Sequence, residues 1–157
     1  MSKVNLIGLD AHKSAALADE LNVLLANYQM FYINARGFHW NITGRKFFEL
    51  HLKFEELYND ALVKIDEIAE RVLTLGKTPL HSFSDYIQLA SIKEAKNVSD
   101  GDKAIEHVLN GFSELIKIER RLLDLSAEAN DEGTNALMSD YIREQEKLVW
   151  MYSAYLK

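Results

Sequence analysis

FFELHLKFEELYNDALVKIDEIAERVLTLG, residues 47–76, decides the architecture. Its apolar positions, Phe47, Leu50, Phe54, Leu57, Ala61, Ile65, Ile68, Val72 and Leu75, recur every three or four residues, the spacing that holds one stripe of an α-helix against a core. The run contains no proline and stops at Gly76, a residue suited to the left-handed position that closes a helix. A stripe of this length cannot bury itself, so the helix requires partners of similar length.

The flanking sequence supplies them. Leu17, Leu21, Leu24, Tyr28, Phe31, Ala35 and Phe38 repeat the spacing, which predicts a helix from Leu17 that fades at Asn41, Thr43 and Gly44. Beyond Gly76, a stretch with Pro79 and three serines reaches Asn97, and FSDYIQLA within it suits a short helix capped by Ser82 or Ser84. Ser99 and Asp102 form a capping arrangement ahead of a helix over Ala104–Leu125, AEANDEGTN (127–135) breaks it, and Ala136–Leu156 is helical again. The apolar side of that last helix reads as Leu137, Tyr141, Leu148, Met151 and Tyr155, with Trp150 nearby. Four long helices joined short, long, short predict an all-α, ferritin-like four-helix bundle whose long second-to-third crossover carries a short helix.

The 157 residues suit one domain, 1–157, with no internal repeat. A lone proline and seven glycines fit a helix-rich chain. With 24 acidic against 18 basic residues, a net charge of −6 repels phosphate backbones and anionic lipid. The absence of cysteine excludes disulfides, thiolate metal sites and cysteine nucleophiles, so a metal here must be held by imidazole and carboxylate. MSKVNLIGLD lacks the features of a signal peptide and no run is long enough to span a bilayer, which predicts a cytoplasmic protein without membrane association.

Within this frame the candidate ligands are His39, His51, Glu55, Asp66 and Glu70. His51 with Glu55, and Asp66 with Glu70, are i,i+4 neighbours. At about 100° per residue all four occupy one sector of the second helix, yet His51 and Asp66 stand about 22 Å apart along its axis, so one chain cannot bring both pairs to one ion. Both cross-pairings, His51 with Glu70 and Glu55 with Asp66, are centred between residues 60 and 61. An antiparallel second copy of the helix would therefore set each pair opposite the other and create two identical sites, with Tyr58, Ala61 and Leu62 between them. Such a set of imidazole and carboxylates suits Fe(II). The Glu-x-x-His signature of an intrachain di-iron centre does not occur.

HWNITGRKFFELHLKFEELYNDALVKIDEIAERVLTLG (39–76) resembles the signature of the Dps family of mini-ferritins in its H-W, G-x-x-F, L-H and D-x-x-A-E-R elements, and the W-M-Y at 150–152 extends the resemblance to nearly the whole chain. The resemblance implies a homododecameric shell with ferroxidase centres at its twofold interfaces, with iron as the bound metal. His39, His51 and Glu55 would come from one subunit and Asp66 and Glu70 from its partner. It also implies that Fe(II) is oxidised preferentially by hydrogen peroxide and stored as ferric mineral, protecting against oxidative damage. Residue 55 is Glu where the family more often has Asp, which bears on the second iron position. Trp40 matches a family tryptophan placed to intercept radicals. Asp131 and Glu132, with Glu128, fall where the family forms acidic threefold pores, although Ala127 and Ala136 stand where some relatives carry Asp.

Two other functions compete. The family also contains nucleoid-protecting DNA binders that use a mobile basic tail, but Lys3 is the only basic residue, histidine aside, in the first 12 and the net charge is negative, so DNA binding is doubtful. A metal-free structural bundle would leave the placement of the ligand pairs without a purpose. His12, His81 and His107 lack partners at ligand spacing and read as surface or packing residues.

Overall fold

A computed structural model describes residues 3–157, and among them five α-helices carry the architecture: α1 (Ala11–Asn41), α2 (Phe47–Thr74), α3 (Phe83–Leu89), α4 (Gly101–Glu128) and α5 (Glu132–Tyr155). The sequence-derived order is correct. α1 packs along α2 and against α4, α4 packs along α5, and α3 lies across α1. The expected stripes of α1 and α2 are the core: Leu17, Leu21, Leu24, Phe54 and Ile68 are fully buried. Gly76 has φ +86°, the left-handed conformation that lets the chain leave α2.

Three boundaries differ from the expectation. α1 begins at Ala11, where the Asp10 carboxylate accepts from the Lys13 N–H at 2.9 Å, so the helix starts well before Leu17, the first apolar position of the stripe. The cap of α4 is Asp100, which accepts from the Lys103 N–H at 2.9 Å, and not the Ser99–Asp102 arrangement. AEANDEGTN is mostly helical, since α4 runs through Glu128 and α5 starts at Glu132 around a sharp corner at Asn130, φ +56°.

The inward face of α5 is also turned by about one residue from the expected one. Thr134, Met138, Tyr141, Ile142, Gln145 and Tyr152 are buried, whereas Met151 and Trp150 are exposed. A stripe of apolar residues misses this face because two of its members, Thr134 and Gln145, are polar and hydrogen-bond to other polar groups inside the bundle.

The crossover is held by asparagines of α1. Asn22 accepts from the Leu80 N–H at 2.9 Å and donates to the Thr78 carbonyl at 3.2 Å. Asn27, 1% exposed, accepts from the Ser91 and Ile92 N–H groups at 3.0 and 2.9 Å. Asn34 accepts from the Ala95 N–H and donates to the Lys93 carbonyl. A long connection without sheet or helix partners has its backbone polar groups satisfied this way.

Candidate metal centre

Two histidines meet where α1 ends and α2 begins. The Nδ1–H of His39 donates to the His51 carbonyl at 2.6 Å, and the Nδ1–H of His51 donates to the His39 carbonyl at 2.7 Å. The rings are stacked, 3.8 Å between centroids and 11° from parallel. A carbonyl oxygen accepts only, so each Nδ1 carries a hydrogen, which leaves Nε2 as the ring nitrogen able to offer a lone pair to a metal. Phe47 stacks on His51 at 4.9 Å and Tyr58 meets His39 edge-on at 5.3 Å, which holds both rings in place.

The carboxylates stand apart. Glu55 is half-buried one turn after His51, and Asp66 and Glu70 are exposed further along the same unbroken helix. Among the described residues, no three His, Asp or Glu side chains gather closely enough to hold a metal ion. The structure thus joins His39 to His51 and leaves Asp66 and Glu70 separate, as the helix rise requires. Tyr58 is half-buried and Leu62 is 51% exposed on the ligand sector of α2, but Ala61 is 1% exposed and belongs to the chain's own core. Ala61 lies roughly 80° from His51 on the helix wheel, on the buried side, and drops out of the expected contact surface.

The family described as a ferritin-like domain matches residues 18–157. The Dps protein of Vibrio cholerae O1, described as a member of a broad superfamily of ferritin-like diiron-carboxylate proteins, is 58% identical and superposes with a TM-score of 0.97, covering 100% of this chain and 98% of that one. The chain belongs to the Dps family of mini-ferritins. A Dps protein of Bacillus brevis superposes with a TM-score of 0.90 at 37% identity, covering 93% of this chain and 98% of that one. A DNA protection during starvation protein of Porphyromonas gingivalis is 41% identical over 148 residues, 94% of this chain and 93% of that protein. Membership places this Dps chain among proteins of iron storage and stress protection. No helix of the described residues is long and apolar enough to cross a membrane.

Two further sequence-derived positions acquire surroundings. Trp40 is 63% exposed, and the Arg36 guanidinium lies over its ring at 4.8 Å and over that of Tyr32 at 5.1 Å. Of the three corner acids, Glu128 and Glu132 are exposed, but Asp131 is 2% exposed. Asp131 caps α5 by accepting from the Thr134 N–H at 3.0 Å, and Arg71 reaches it from α2 at 2.6 Å. Its charge is neutralised and turned inward, so the expected role of Asp131 as a free funnel carboxylate is replaced by a structural one. Gly133 leaves room beside it, since a Cβ there would lie 2.8 Å from the Arg71 guanidinium and the arginine would have to shift.

Reading by apolar stripe also missed a polar knot inside this Dps bundle. Tyr28 of α1 donates to Glu119 of α4 at 3.1 Å, and the Gln145 amide of α5 donates to Glu119 at 3.1 Å and to the Tyr28 hydroxyl. The available signal was Glu119 itself, set one turn after Leu115 and three residues before Leu122 on the buried face of α4.

Proposed function

We propose that this Dps chain assembles as a closed shell of twelve copies that oxidises Fe(II) with hydrogen peroxide at twofold-related interface centres and stores the ferric product. The carrying observation is the reciprocal His39–His51 pairing, which presents two stacked imidazoles with Nε2 outside the pairing, while Asp66 and Glu70, on the same helix sector, lie too far along the axis to reach them. A second, antiparallel α2 supplies the missing half: His39, His51 and Glu55 of one subunit then face Asp66 and Glu70 of the partner subunit. The exposed Leu62 and half-buried Tyr58 between the two pairs provide an apolar contact for that copy.

Fe(II) is the substrate, and nitrogen with carboxylate oxygen is a suitable donor set for it. Two Fe(II) each give one electron to one hydrogen peroxide, whose O–O bond breaks to two hydroxide-level oxygens, so this paired route releases no hydroxyl radical. Negative carboxylates favour the ferric product over the ferrous substrate, and the fixed imidazoles need no reorganisation when iron arrives. Glu55, longer by one methylene than Asp, sets how firmly the second iron is held. Trp40, next to His39 in sequence, intercepts stray one-electron oxidants, and the exposed Glu128 and Glu132 attract cations toward the α4–α5 corner. The cytoplasm, where thiols are kept reduced and iron is handled as Fe(II), is the compartment in which we place this activity.

Anaerobic Fe(II) followed by peroxide tests the reading. Ferric absorbance should rise quickly in the native protein and slow markedly in the variant combining His39→Ala, Asp66→Ala and Glu70→Ala. Equal rates in the two proteins would remove the centre.

A further inference from the structure

The knot at the middle of the bundle has more acceptors than donors. Its donors are the Tyr28 hydroxyl and the Gln145 amide, and all of their hydrogens are used on Glu119 Oε2 and on the Tyr28 oxygen. Glu119 Oε1 and Gln145 Oε1 are both buried without a partner. Turning the Gln145 amide over does not help, since its carbonyl would then face the carboxylate oxygen and the shortage of donors would remain. One additional proton on the carboxyl group repairs the count.

We infer that Glu119 is a neutral carboxylic acid in the folded protein, its proton shared with the Gln145 amide carbonyl, and that this acid–amide pair is a proton-dependent latch joining α1, α4 and α5. The surroundings support the neutral form. Glu119 is 0% exposed, and among the described residues no ammonium or guanidinium pairs with it. Lys64 of α2 acts on Glu119 through its charge alone, since it is committed to Asp60 and Glu144 at 2.8 and 3.0 Å and lies 5.1 Å from the Tyr141 ring. Arg120, next to Glu119 on α4, is committed to Glu146 at 2.8 Å. The other titratable groups around the knot are Tyr28 of α1, Asp60 and Glu67 of α2, and Tyr141 and Glu144 of α5. The three acids add negative potential, and both phenols are buried and held protonated, so the Tyr28 hydroxyl offers Glu119 one neutral hydrogen bond and no positive charge.

Burial pushes the Glu119 carboxyl up to about 8 against the donating effects of Gln145 and Tyr28. A carboxyl raised above its unfolded value binds its proton more tightly in the folded chain. Its effect on stability is absent below the unfolded value of 4.5, destabilises progressively as pH rises through the interval from 4.5 to about 8, and levels off above that. In the unfolded chain the same proton is held roughly a thousandfold or more less tightly.

Two measurements on the assembled protein test the latch. Difference infrared spectra of the native protein should show a protonated-carboxyl carbonyl band at pH 6 that shifts in deuterium oxide, disappears above pH 9 and is missing from Glu119→Gln. Urea midpoints should fall between pH 5 and pH 8 in the native protein, with Glu119→Gln, which keeps an uncharged hydrogen-bonding group, losing that part of the fall. No such band at pH 6 in the native protein would overturn the inference, whether or not the variant folds, and so would a native–variant difference that stays constant with pH. Neither readout involves iron, so both stand or fall separately from the ferroxidase reading.

Discussion

His39 and His51 lie 12 positions apart, yet each uses the other's main-chain carbonyl to choose its tautomer. Their candidacy as ligands was legible from residue type and spacing, but this mutual orientation was not, because it depends on how the α1–α2 turn folds back. Trp40 presents the opposite case, a side chain with a sequence-derived role and an exposed position beside Arg36. Trp40→Phe should leave the rate of iron oxidation unchanged while raising the hydroxyl radical caught by a spin trap during peroxide addition; identical trapping would reduce Trp40 to packing. Asp131 changed its meaning most. Asp131→Ala removes a cap and strands the Arg71 guanidinium, and urea denaturation should show a loss of about 2–3 kcal/mol. Had it been an exposed funnel charge, the same substitution would cost almost nothing.

At the scale of elements, α2 was readable because its buried positions, Lys64 aside, are apolar and obey one period, and α1 because its apolar stripe is buried throughout, although it also buries Leu25, Ala26 and Asn27 beside that stripe. α5 was not, because Thr134 and Gln145 sit on its inward face and break the stripe. The caps obey the same division between local and tertiary signals. Asp100→Ala should destabilise the protein by about 1 kcal/mol in urea denaturation while Ser99→Ala changes little, since Asp100 alone accepts from the first turn of α4. The crossover shows a third pattern, in which Asn27 replaces regular structure as the partner of two backbone N–H groups. Asn27→Leu should cost about 2–3 kcal/mol, measured as a shift in the denaturation midpoint, because both N–H groups lose their acceptor on a buried surface.

For the whole molecule, the iron reading requires assembly, since among the described residues no chain gathers a complete ligand set. Native mass spectrometry should give a particle near twelve times 18.0 kDa, and a monomer under native conditions would exclude the interface centre. A chain of net charge −6 should also bind DNA poorly, so strong retardation in a gel shift at both low and moderate salt would overturn the charge argument. The sequence by itself determined the all-α order, the long crossover and the separation of the candidate ligand pairs along one helix, because helical period and rise are local properties. Only the tertiary structure decided which caps are used, which face of α5 is buried, that Asp131 is neutralised by Arg71, and that Glu119 is enclosed with Tyr28 and Gln145. Those outcomes depend on which polar groups from distant segments meet where water is excluded, and no periodicity records that.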